Sequence, residues 1–384
     1  MSEAYIIDAL RTPVGRRNGA LAEIHSADLA AVPLSAMLDR IGIDTAEYDE
    51  IILGCIDQIG PQAFDIARTA WLAAGGSEAV PGTTIDRQCG SGQQAIHYAA
   101  QAVLSGTSDL VVAGGVQNMS TIPLGTANTI MKDQGYSNPF AGSKAWADRY
   151  GDRTISQFHG AEMMANRWGI TREQAEAFAA ESHRRAIAAQ EAGFFAEEIM
   201  PLGGLRDDEG PRTPNRAKMR ELPTLRPNGI HTAATASQIS DAAAMLTIAS
   251  ARAVEEYGLV PRARIHHISA RADDPVMMLS APIRATRHAL ERTGMKIEDF
   301  DAIEINEAFA SVVLAWEKEL RPDMAKVNIH GGAIALGHPI GATGARLMTT
   351  LLHTLEDSGG RYGLQTMCEG GGQANVTIIE RLDY

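Results

Sequence analysis

The order of predicted elements in residues 1–117 recurs in residues 264–384. In both stretches, short apolar segments with the composition of strands alternate with segments whose apolar residues repeat at helical spacing. Each stretch also contains a strand that runs into a turn of two glycines, at residues 114–115 and 331–332. Strands that alternate with helices predict a mixed sheet covered by helices on both faces. We therefore predict two like α/β halves.

The stretch between the two halves does not show this alternation of strands and helices. Polar, glycine-rich and proline-rich segments surround one strong helical pattern over residues 172–192. A chain of 384 residues is also too long for one ordinary hydrophobic core. We therefore predict an N-terminal half at residues 1–119, a loop domain at 120–240 and a C-terminal half at 263–384. A helix predicted at about 241–262 is assigned to the N-terminal half, and loops of this length usually cover a functional site.

The first candidate functional residue is Cys89. Residues 81–85 have the composition of a strand that leaves a turn, and apolar residues recur at helical spacing over 95–103. Cys89 is therefore predicted at a strand-to-helix turn, where backbone N–H groups and the helix dipole favour a thiolate. Gly90 and Gly92 leave room for a carbonyl group to approach the sulfur. From this window alone, a buried structural cysteine is the alternative.

Composition limits the partners and the compartment. Cys55, Cys89 and Cys368 show no CxxC spacing, which argues against a disulfide framework and against a thiolate zinc site. A reducing, cytoplasmic setting is expected. The first residues show no signal peptide, and no apolar run approaches the roughly 18 residues of a membrane span. The net charge of −13 argues against nucleic acid as a partner, so an anionic substrate needs a local basic pocket.

Four further windows carry polar groups that a plain core does not need. Three of them are predicted where strands end and loops begin, which is where open α/β sheets bind ligands. The fourth closes the loop domain. The windows are Asn-Glu-Ala-Phe at 306–309, the Gly/His segment 331–344 with Gly-His-Pro-Ile-Gly, Cys-Glu-Gly-Gly-Gly-Gln at 368–373, and Thr-Ala-Ala-Thr-Ala-Ser at 232–237.

Together and in this order, these windows resemble the thiolases. The resemblance covers nearly the whole chain, from Arg11-Thr12-Pro13 to the last predicted strand. It implies the thiolase fold, an α/β fold of two duplicated βαβαβαββ halves with an inserted loop domain. It also implies CoA and acyl-CoA thioesters as substrates, a homodimer or homotetramer, no permanently bound cofactor and no metal.

The resemblance implies a role for each matching residue. Cys89 would be the nucleophile that becomes acylated, and His338 would take its proton. Cys368 would be the acid/base for the α-carbon of acetyl-CoA, and a thiol pKa lowered by its surroundings would suit that role. Asn306, through a water, and His338 would stabilise the thioester enolate. The backbone N–H groups of Cys89 and Gly370 would form a second oxyanion hole.

Contacts to CoA are predicted in the loop domain. Ser237 resembles the serine that contacts CoA beside the pantetheine in thiolases. Arg220 belongs to a basic stretch over residues 206–226, whose side chains would meet the ADP phosphates as charge-assisted donors. A solvated surface balanced by neighbouring acidic residues is the alternative for this stretch. Glu307 is expected to orient a loop rather than to act as a general base.

The predicted function is that of a 3-ketoacyl-CoA thiolase, which uses CoA to release acetyl-CoA or a short acyl-CoA and a shortened acyl-CoA. Gln117 stands where thiolases often have Glu, and Ser156-Gln157 stands where short-chain biosynthetic thiolases have His-Met. The pattern is therefore more similar to bacterial degradative thiolases, including those that act on steroid-derived acyl-CoAs. Acetoacetyl-CoA formation in the same site and a non-catalytic acyl-CoA-binding protein are the alternatives. A decarboxylative ketosynthase is disfavoured by the second cysteine, Cys368.

Overall fold

The computed structural model describes residues 3–383, so Met1, Ser2 and Tyr384, at the outer ends of the two predicted halves, lie outside the described residues. The strands are β1 (Ala4–Arg11), β2 (Gly15–Arg16), β3 (Glu50–Gly54), β4 (Gly82–Ile85), β5 (Leu110–Asn118), β6 (Ser240–Ser250), β7 (Ala263–Ala272), β8 (Ala302–Ile305), β9 (Tyr362–Glu369) and β10 (Gln373–Arg381). The helices of the first half and the loop domain are α1 (Ser26–Ile41), α2 (Ile66–Ala73), α3 (Ser91–Ser105), α4 (Thr126–Thr129), α5 (Lys144–Tyr150), α6 (Gln157–Arg167), α7 (Arg172–Glu191) and α8 (Arg216–Glu221). The remaining helices are α9 (Ala251–Tyr257), α10 (Ala281–Thr293), α11 (Ala310–Leu320), α12 (Ala333–Leu336) and α13 (Ile340–Ser358).

The strands form one mixed sheet with the order β4-β3-β5-β6-β1-β7-β10-β9-β8, and β2 pairs with β6. In the first half β3 runs parallel to β4 and β5, whereas β6 is antiparallel to β5 and β1. The second half repeats this pattern, with β8 parallel to β9, and β10 antiparallel to β9 and β7. A parallel bridge between Ile303 and Val327 takes the place that β4 has in the first half. The predicted duplication of a βαβαβαββ unit is therefore confirmed.

The prediction of a helix at about 241–262 is wrong. Residues 240–250 form strand β6, which is buried along its whole length, and only Ala251–Tyr257 is helical. A strand that is buried on both faces has a continuous apolar sequence rather than an alternating one. The run of alanines in this segment also has the highest helix propensity. Pairing with β5 and β1 on its two sides outweighs that local preference.

Helices α3 and α13 meet in the interior. α13 is buried from Ile340 to Leu355, and it packs against α3 and against strands of both halves. The contact is made by small residues, and a Cβ added to Gly92 would lie only 2.8 Å from the carbonyl oxygen of Gly341. A Cβ on Gly344 would overlap the backbone of Gln93. We call Gly92, Gly341 and Gly344 the glycine seam, and it brings the N-terminal ends of the two helices together.

A buried ion-pair cluster fastens the loop domain to the first half. Arg11, at the end of β1, is fully buried and donates through Nε to Glu198 at 2.6 Å. Its Nη1 and Nη2 atoms donate to the two carboxylate oxygens of Asp208 at 2.6 and 3.0 Å. Bidentate pairs of this kind fix geometry as well as charge. No helix among residues 3–383 is long and apolar enough to cross a membrane.

Candidate active site

Cys89 lies in the turn between β4 and α3, as the sequence predicts. Gln88 has a φ of 50°, and Gly90 is the N-cap residue of the helix. The Ser91 hydroxyl closes the turn, because it accepts from the Arg87 N–H at 2.8 Å and donates to the Gln88 carbonyl at 2.6 Å. The thiol is half-buried and packs against three apolar side chains, those of Ile56, Met119 and Ile340.

The thiol of Cys89 is neutral in the resting site. Burial raises its pKa to about 12, and the nearby Glu369 acts in the same direction. The backbone N–H groups of Gly370 and Cys89 are directed at the sulfur and lower its pKa, but they do not outweigh burial. The predicted preference of this position for a thiolate is therefore present in direction, but burial outweighs it. A base must take the proton when the sulfur reacts.

His338 is a neutral imidazole with a defined tautomer. The Thr343 hydroxyl lies 2.9 Å from the Pro339 carbonyl, which can only accept, so the hydroxyl hydrogen points to Pro339. The same hydroxyl oxygen lies 2.7 Å from Nδ1 of His338, so Nδ1 carries the imidazole hydrogen. Nε2 is left with its lone pair. Burial, together with the charge of Arg346, lowers the pKa of His338 to about 3 and keeps the ring neutral.

Asn306 faces the free nitrogen of His338. It follows β8 directly, is fully buried, and has its backbone N–H bonded to the Thr366 carbonyl at 3.1 Å. Its Nδ2 atom lies 3.5 Å from Nε2 of His338. Its Oδ1 atom is buried without a hydrogen-bond partner. Buried amides normally use their acceptor, so Asn306 has free capacity for a bound water or for substrate.

Cys368, near the end of β9, supplies a second thiol. It is fully buried, and its pKa is raised well above the usual value, first by burial and then by the proximity of Cys89 and Glu369. The expectation of a pKa lowered by its surroundings is therefore wrong, because no cation offsets desolvation here. The influence of Cys89 on this pKa places the two sulfurs within electrostatic range of each other.

The other predicted site residues differ in how closely they are linked to Cys89, Asn306, His338 and Cys368. Gly370 follows β9, and its N–H is directed at the Cys89 sulfur. Ser237 is half-exposed and donates its backbone N–H to the Ala308 carbonyl at 3.0 Å, which places it beside the Asn-Glu-Ala-Phe window. Arg220 is exposed at the end of α8. Within residues 3–383, no hydrogen bond or ion pair links its side chain to the proposed catalytic residues, which we call the catalytic group: Cys89, Asn306, His338 and Cys368.

Glu307 orients a loop, as the sequence suggests. Its carboxylate accepts from the Ser182 hydroxyl at 2.6 Å, from Asn328 Nδ2 at 2.9 Å and from the Ile334 N–H at 3.1 Å. These bonds fix the segment that leads to His338. The side chain is fully buried, and burial raises its pKa.

Gln117 is a site residue whose role the sequence did not reveal. Its Oε1 atom accepts from the backbone N–H groups of Ile56 at 3.0 Å and Gly341 at 3.2 Å. Its Nε2 atom donates to the Ile56 carbonyl at 2.9 Å and to Gln62 at 3.3 Å. Gln117 therefore ties a wall of the Cys89 pocket to the start of α13. A polar residue in an otherwise apolar strand was the available signal.

No group of three or more His, Cys, Asp or Glu side chains that could hold a metal ion occurs among residues 3–383. The expectation that no metal takes part remains a prediction. The described residues instead offer two thiols, an imidazole, an amide and two backbone donors. This set can perform nucleophilic acyl transfer with proton transfer at a second centre.

Known proteins are similar in sequence to this chain over its full length. The family model for the thiolase N-terminal domain matches residues 4–252, and that for the C-terminal domain matches residues 259–381. The steroid 3-ketoacyl-CoA thiolase FadA6 of Mycobacterium tuberculosis is 59% identical, with 100% of this chain and 95% of the relative covered. A beta-ketoadipyl-CoA thiolase of Pseudomonas aeruginosa is 44% identical, with 99% of each chain covered. The 3-oxoadipyl-CoA/3-oxo-5,6-dehydrosuberyl-CoA thiolase of Escherichia coli K12 is 42% identical, with 100% of each covered. With both family models matched and relatives of this similarity, the chain belongs to the thiolase family.

Proposed function

We propose that this thiolase cleaves a 3-ketoacyl-CoA with CoA, through an acyl-enzyme on Cys89. The observation that carries the proposal is the pair of thiols, Cys89 and Cys368, which act on each other electrostatically, together with the neutral imidazole of His338, two residues before the Ile340 side chain that packs against Cys89. One thiol holds the acyl group, and the second thiol is the acid/base that protonates the α-carbon of the leaving enolate. A site with a single cysteine would not provide both functions.

In the first half-reaction, the Cys89 sulfur attacks the 3-keto carbon and its proton passes to Nε2 of His338. The bond between the α-carbon and the 3-keto carbon then breaks, and acetyl-CoA or a short acyl-CoA leaves as its enolate. The Cys368 thiol protonates the α-carbon of that enolate. His338 and a water held by Asn306 would stabilise the enolate oxygen.

In the second half-reaction, CoA takes the place of the first product. Its thiol gives a proton to the Cys368 thiolate, and its sulfur attacks the Cys89 thioester. The N–H groups of Cys89 and Gly370 would hold the oxyanion of the tetrahedral intermediate. The shortened acyl-CoA leaves, and Cys89 recovers its proton from His338.

A single experiment tests the nucleophile. Intact-protein mass after mixing with acetyl-CoA, followed by peptide mapping, should show one acetyl group on Cys89. Cys55→Ala is the control, since Cys55 is the remaining cysteine of the sequence and is not one of the proposed catalytic residues, and this variant should acetylate normally. Absence of an adduct while CoA still binds would support the alternative of a non-catalytic acyl-CoA-binding protein.

For the substrate, we propose a bulky 3-ketoacyl-CoA of the kind formed in steroid degradation. Support comes from the name and the 59% identity of the mycobacterial relative, and from Ser156-Gln157 in place of His-Met. Thiolysis rates should be compared for a steroid side-chain 3-ketoacyl-CoA, beta-ketoadipyl-CoA and acetoacetyl-CoA. The highest kcat/KM is expected for the steroid substrate. Activity on acetoacetyl-CoA alone would favour the biosynthetic alternative.

We propose that CoA binds across Ser237, with Arg220 near its phosphates. Ser237 is half-exposed beside the Asn-Glu-Ala-Phe window, and Arg220 is a free cation on the loop domain. Arg220→Ala should raise the KM for CoA and leave kcat unchanged. Arg184→Ala, which removes another exposed arginine from the same domain, is the control and should change neither value. Equal effects of the two variants would remove Arg220 from the proposed site.

We also propose a homodimer or homotetramer in the cytoplasm, where a reducing environment keeps Cys89 and Cys368 as thiols. Within residues 3–383, β4 has a strand partner on one side only, and an open edge favours association. Phe64, beside this strand, is 96% exposed and has a φ of 57°, and its neighbour Asp65 accepts from the Thr84 hydroxyl of β4. Light scattering should give a dimer or tetramer mass that falls in Phe64→Ser. A parent protein that is already monomeric would contradict the proposal.

A further inference from the structure

One acidic residue of the site has no role in the chemistry described so far. Glu369 lies between Cys368 and Gly370 at the end of β9, and its side chain is fully buried. Among residues 3–383, neither carboxyl oxygen has a hydrogen-bond partner of acceptable geometry. The carboxyl group lies directly over Gly90, since a Cβ added there would overlap it. Glu369 thus supports the first residue after the Cys89 nucleophile.

In the described part of the chain, residues 3–383, no counter-ion contacts Glu369. On the turn before α3, Arg87 acts on the carboxyl group but forms no ion pair with it, and Asp86 is exposed. On β10 the Asn375 N–H also favours the ionised form, and the titratable group of α3 on this face is the neutral His97. Burial outweighs these influences and raises the pKa of Glu369 to about 8.

The polar side chains that share a face of the sheet with Glu369 also favour its neutral form. Successive residues of a strand alternate between faces, so Glu369 shares its face with Gln365, and the cross-strand register adds Asn375 to that face. The acceptor oxygens of Gln365, Asn375 and the adjoining Gln93 of α3 are buried without a donor. An ionised Glu369 would add two more unpaired acceptors, whereas the neutral acid brings an O–H donor. Unpaired buried acceptors are unfavourable, so these surroundings favour the neutral form of Glu369.

We propose that Glu369 is a positioning residue that works as an uncharged acid: it supports the Cys89 turn, and its ionisation suppresses thiolate formation at Cys89. The inference rests on the proposed role of Cys89 as nucleophile. A negative charge at Glu369 lies close enough to act on both Cys89 and Cys368. It would oppose a thiolate on Cys89 and an oxyanion at the Gly370 N–H alike. Ionisation of the acid therefore makes Cys89 less reactive than it would be at the same pH with a neutral residue at position 369.

The test is the rate of alkylation of Cys89 by iodoacetamide, followed by peptide mapping across the pH range in the parent enzyme and in Glu369→Gln. The amide keeps the shape and removes the charge. At low pH the two proteins should react at the same rate, because Glu369 is then neutral in the parent. Above the pKa of Glu369, the variant should react about tenfold faster, which corresponds to a thiol pKa about one unit lower. This readout needs no acyl transfer, so it succeeds or fails independently of the proposed thiolase reaction.

Two controls separate charge from shape. Asp86→Asn removes an exposed charge that also acts on Cys89, and solvent screening should keep its effect on the alkylation rate well below tenfold. Thermal denaturation of each variant checks the fold. Parallel pH profiles for the parent and Glu369→Gln would overturn the proposal. A variant that is folded but slower at every pH would show a purely structural role and would also overturn it.

Discussion

Nδ1 of His338 lies 2.7 Å from the hydroxyl oxygen of Thr343, and that hydroxyl donates to the Pro339 carbonyl at 2.9 Å. The second bond makes the hydroxyl an acceptor towards His338, so the imidazole hydrogen is held on Nδ1. The nitrogen with the free lone pair is therefore the one that faces Asn306 and the catalytic group. The hydroxyl of Thr343 thus selects the tautomer of His338.

Thr343→Val should weaken the base without changing the shape of the site. With the hydroxyl acceptor lost, Nδ1 no longer holds the hydrogen, and the two tautomers compete. We expect kcat and the rate of Cys89 acetylation to fall by about 100-fold, within the range for general-base catalysis. Thr343→Ser, which keeps the hydroxyl, should recover most of the rate in the same stopped-flow assay. If both variants lose activity equally, packing rather than the tautomer is the cause.

Cys368→Ala should separate the two half-reactions. Cys89 and His338 remain, so acyl transfer from acetyl-CoA to the enzyme should persist and be visible by intact mass. Thiolytic cleavage should fall by at least about 100-fold, because no thiol is left to protonate the departing α-carbon. Cys89→Ala is the matched variant and should lose both steps. Cleavage by Cys368→Ala at near the parent rate would exclude the proposed acid/base.

Glu307→Ala should destabilise the protein more than Glu307→Gln. The alanine leaves Ser182, Asn328 and the Ile334 N–H without their acceptor. Unmade buried hydrogen bonds of this kind correspond to a loss of roughly 3 kcal/mol in the free energy of unfolding. Glutamine keeps a carbonyl acceptor and should lose less than half of that. Urea unfolding of the two variants gives the comparison, and equal losses would contradict it.

His97 should make the fold sensitive to acid. Burial lowers its pKa to about 3, and its Nε2 lies 2.8 Å from the Thr377 hydroxyl. Between pH 6.5 and 3 the unfolded chain therefore binds a proton that the folded chain does not. The contribution to stability is present above about pH 6.5 and is lost as the pH falls, by about 1.4 kcal/mol per pH unit.

His97→Gln removes this titration and isolates it from other groups. Buried carboxyl groups such as Glu304, whose pKa is raised to about 8, change stability in the opposite direction and remain in both proteins. The difference in unfolding free energy between parent and variant should therefore shift in favour of the variant as the pH is lowered from 7 to about 5. A difference that does not depend on pH would show that His97 is accessible to protons in the folded state.

Sequence patterns predicted the local structure around the candidate site residues well where it depends on a single turn. The strand, turn and helix around Cys89 and the windows with Asn306, His338 and Cys368 each keep their residues together along the chain. The patterns were less informative about ionisation. Helix position alone favoured a thiolate at Cys89, whereas desolvation in the folded site raises its pKa. Burial of this kind depends on α13 and β9, which lie far from Cys89 in sequence.

The same limit explains the error at β6. Residues 240–250 are apolar on every side because other strands and helices cover both faces, and the sequence contains no period that separates such a strand from a buried helix. Gln117 shows a different limit, because the sequence marks the residue as unusual but does not reveal its contacts. Its sequence position is a departure from the usual glutamate, but its side-chain hydrogen bonds to Ile56, Gln62 and Gly341 join residues that come together only in the fold.

The glycine seam between α3 and α13 makes the spacing of nucleophile and base a property of the main chain. Cys89 precedes one of these helices and His338 precedes the other, so each half of the duplicated fold carries one partner of the pair. A methyl group on Gly92, Gly341 or Gly344 would therefore displace both helices, and with them both proposed catalytic residues, at once.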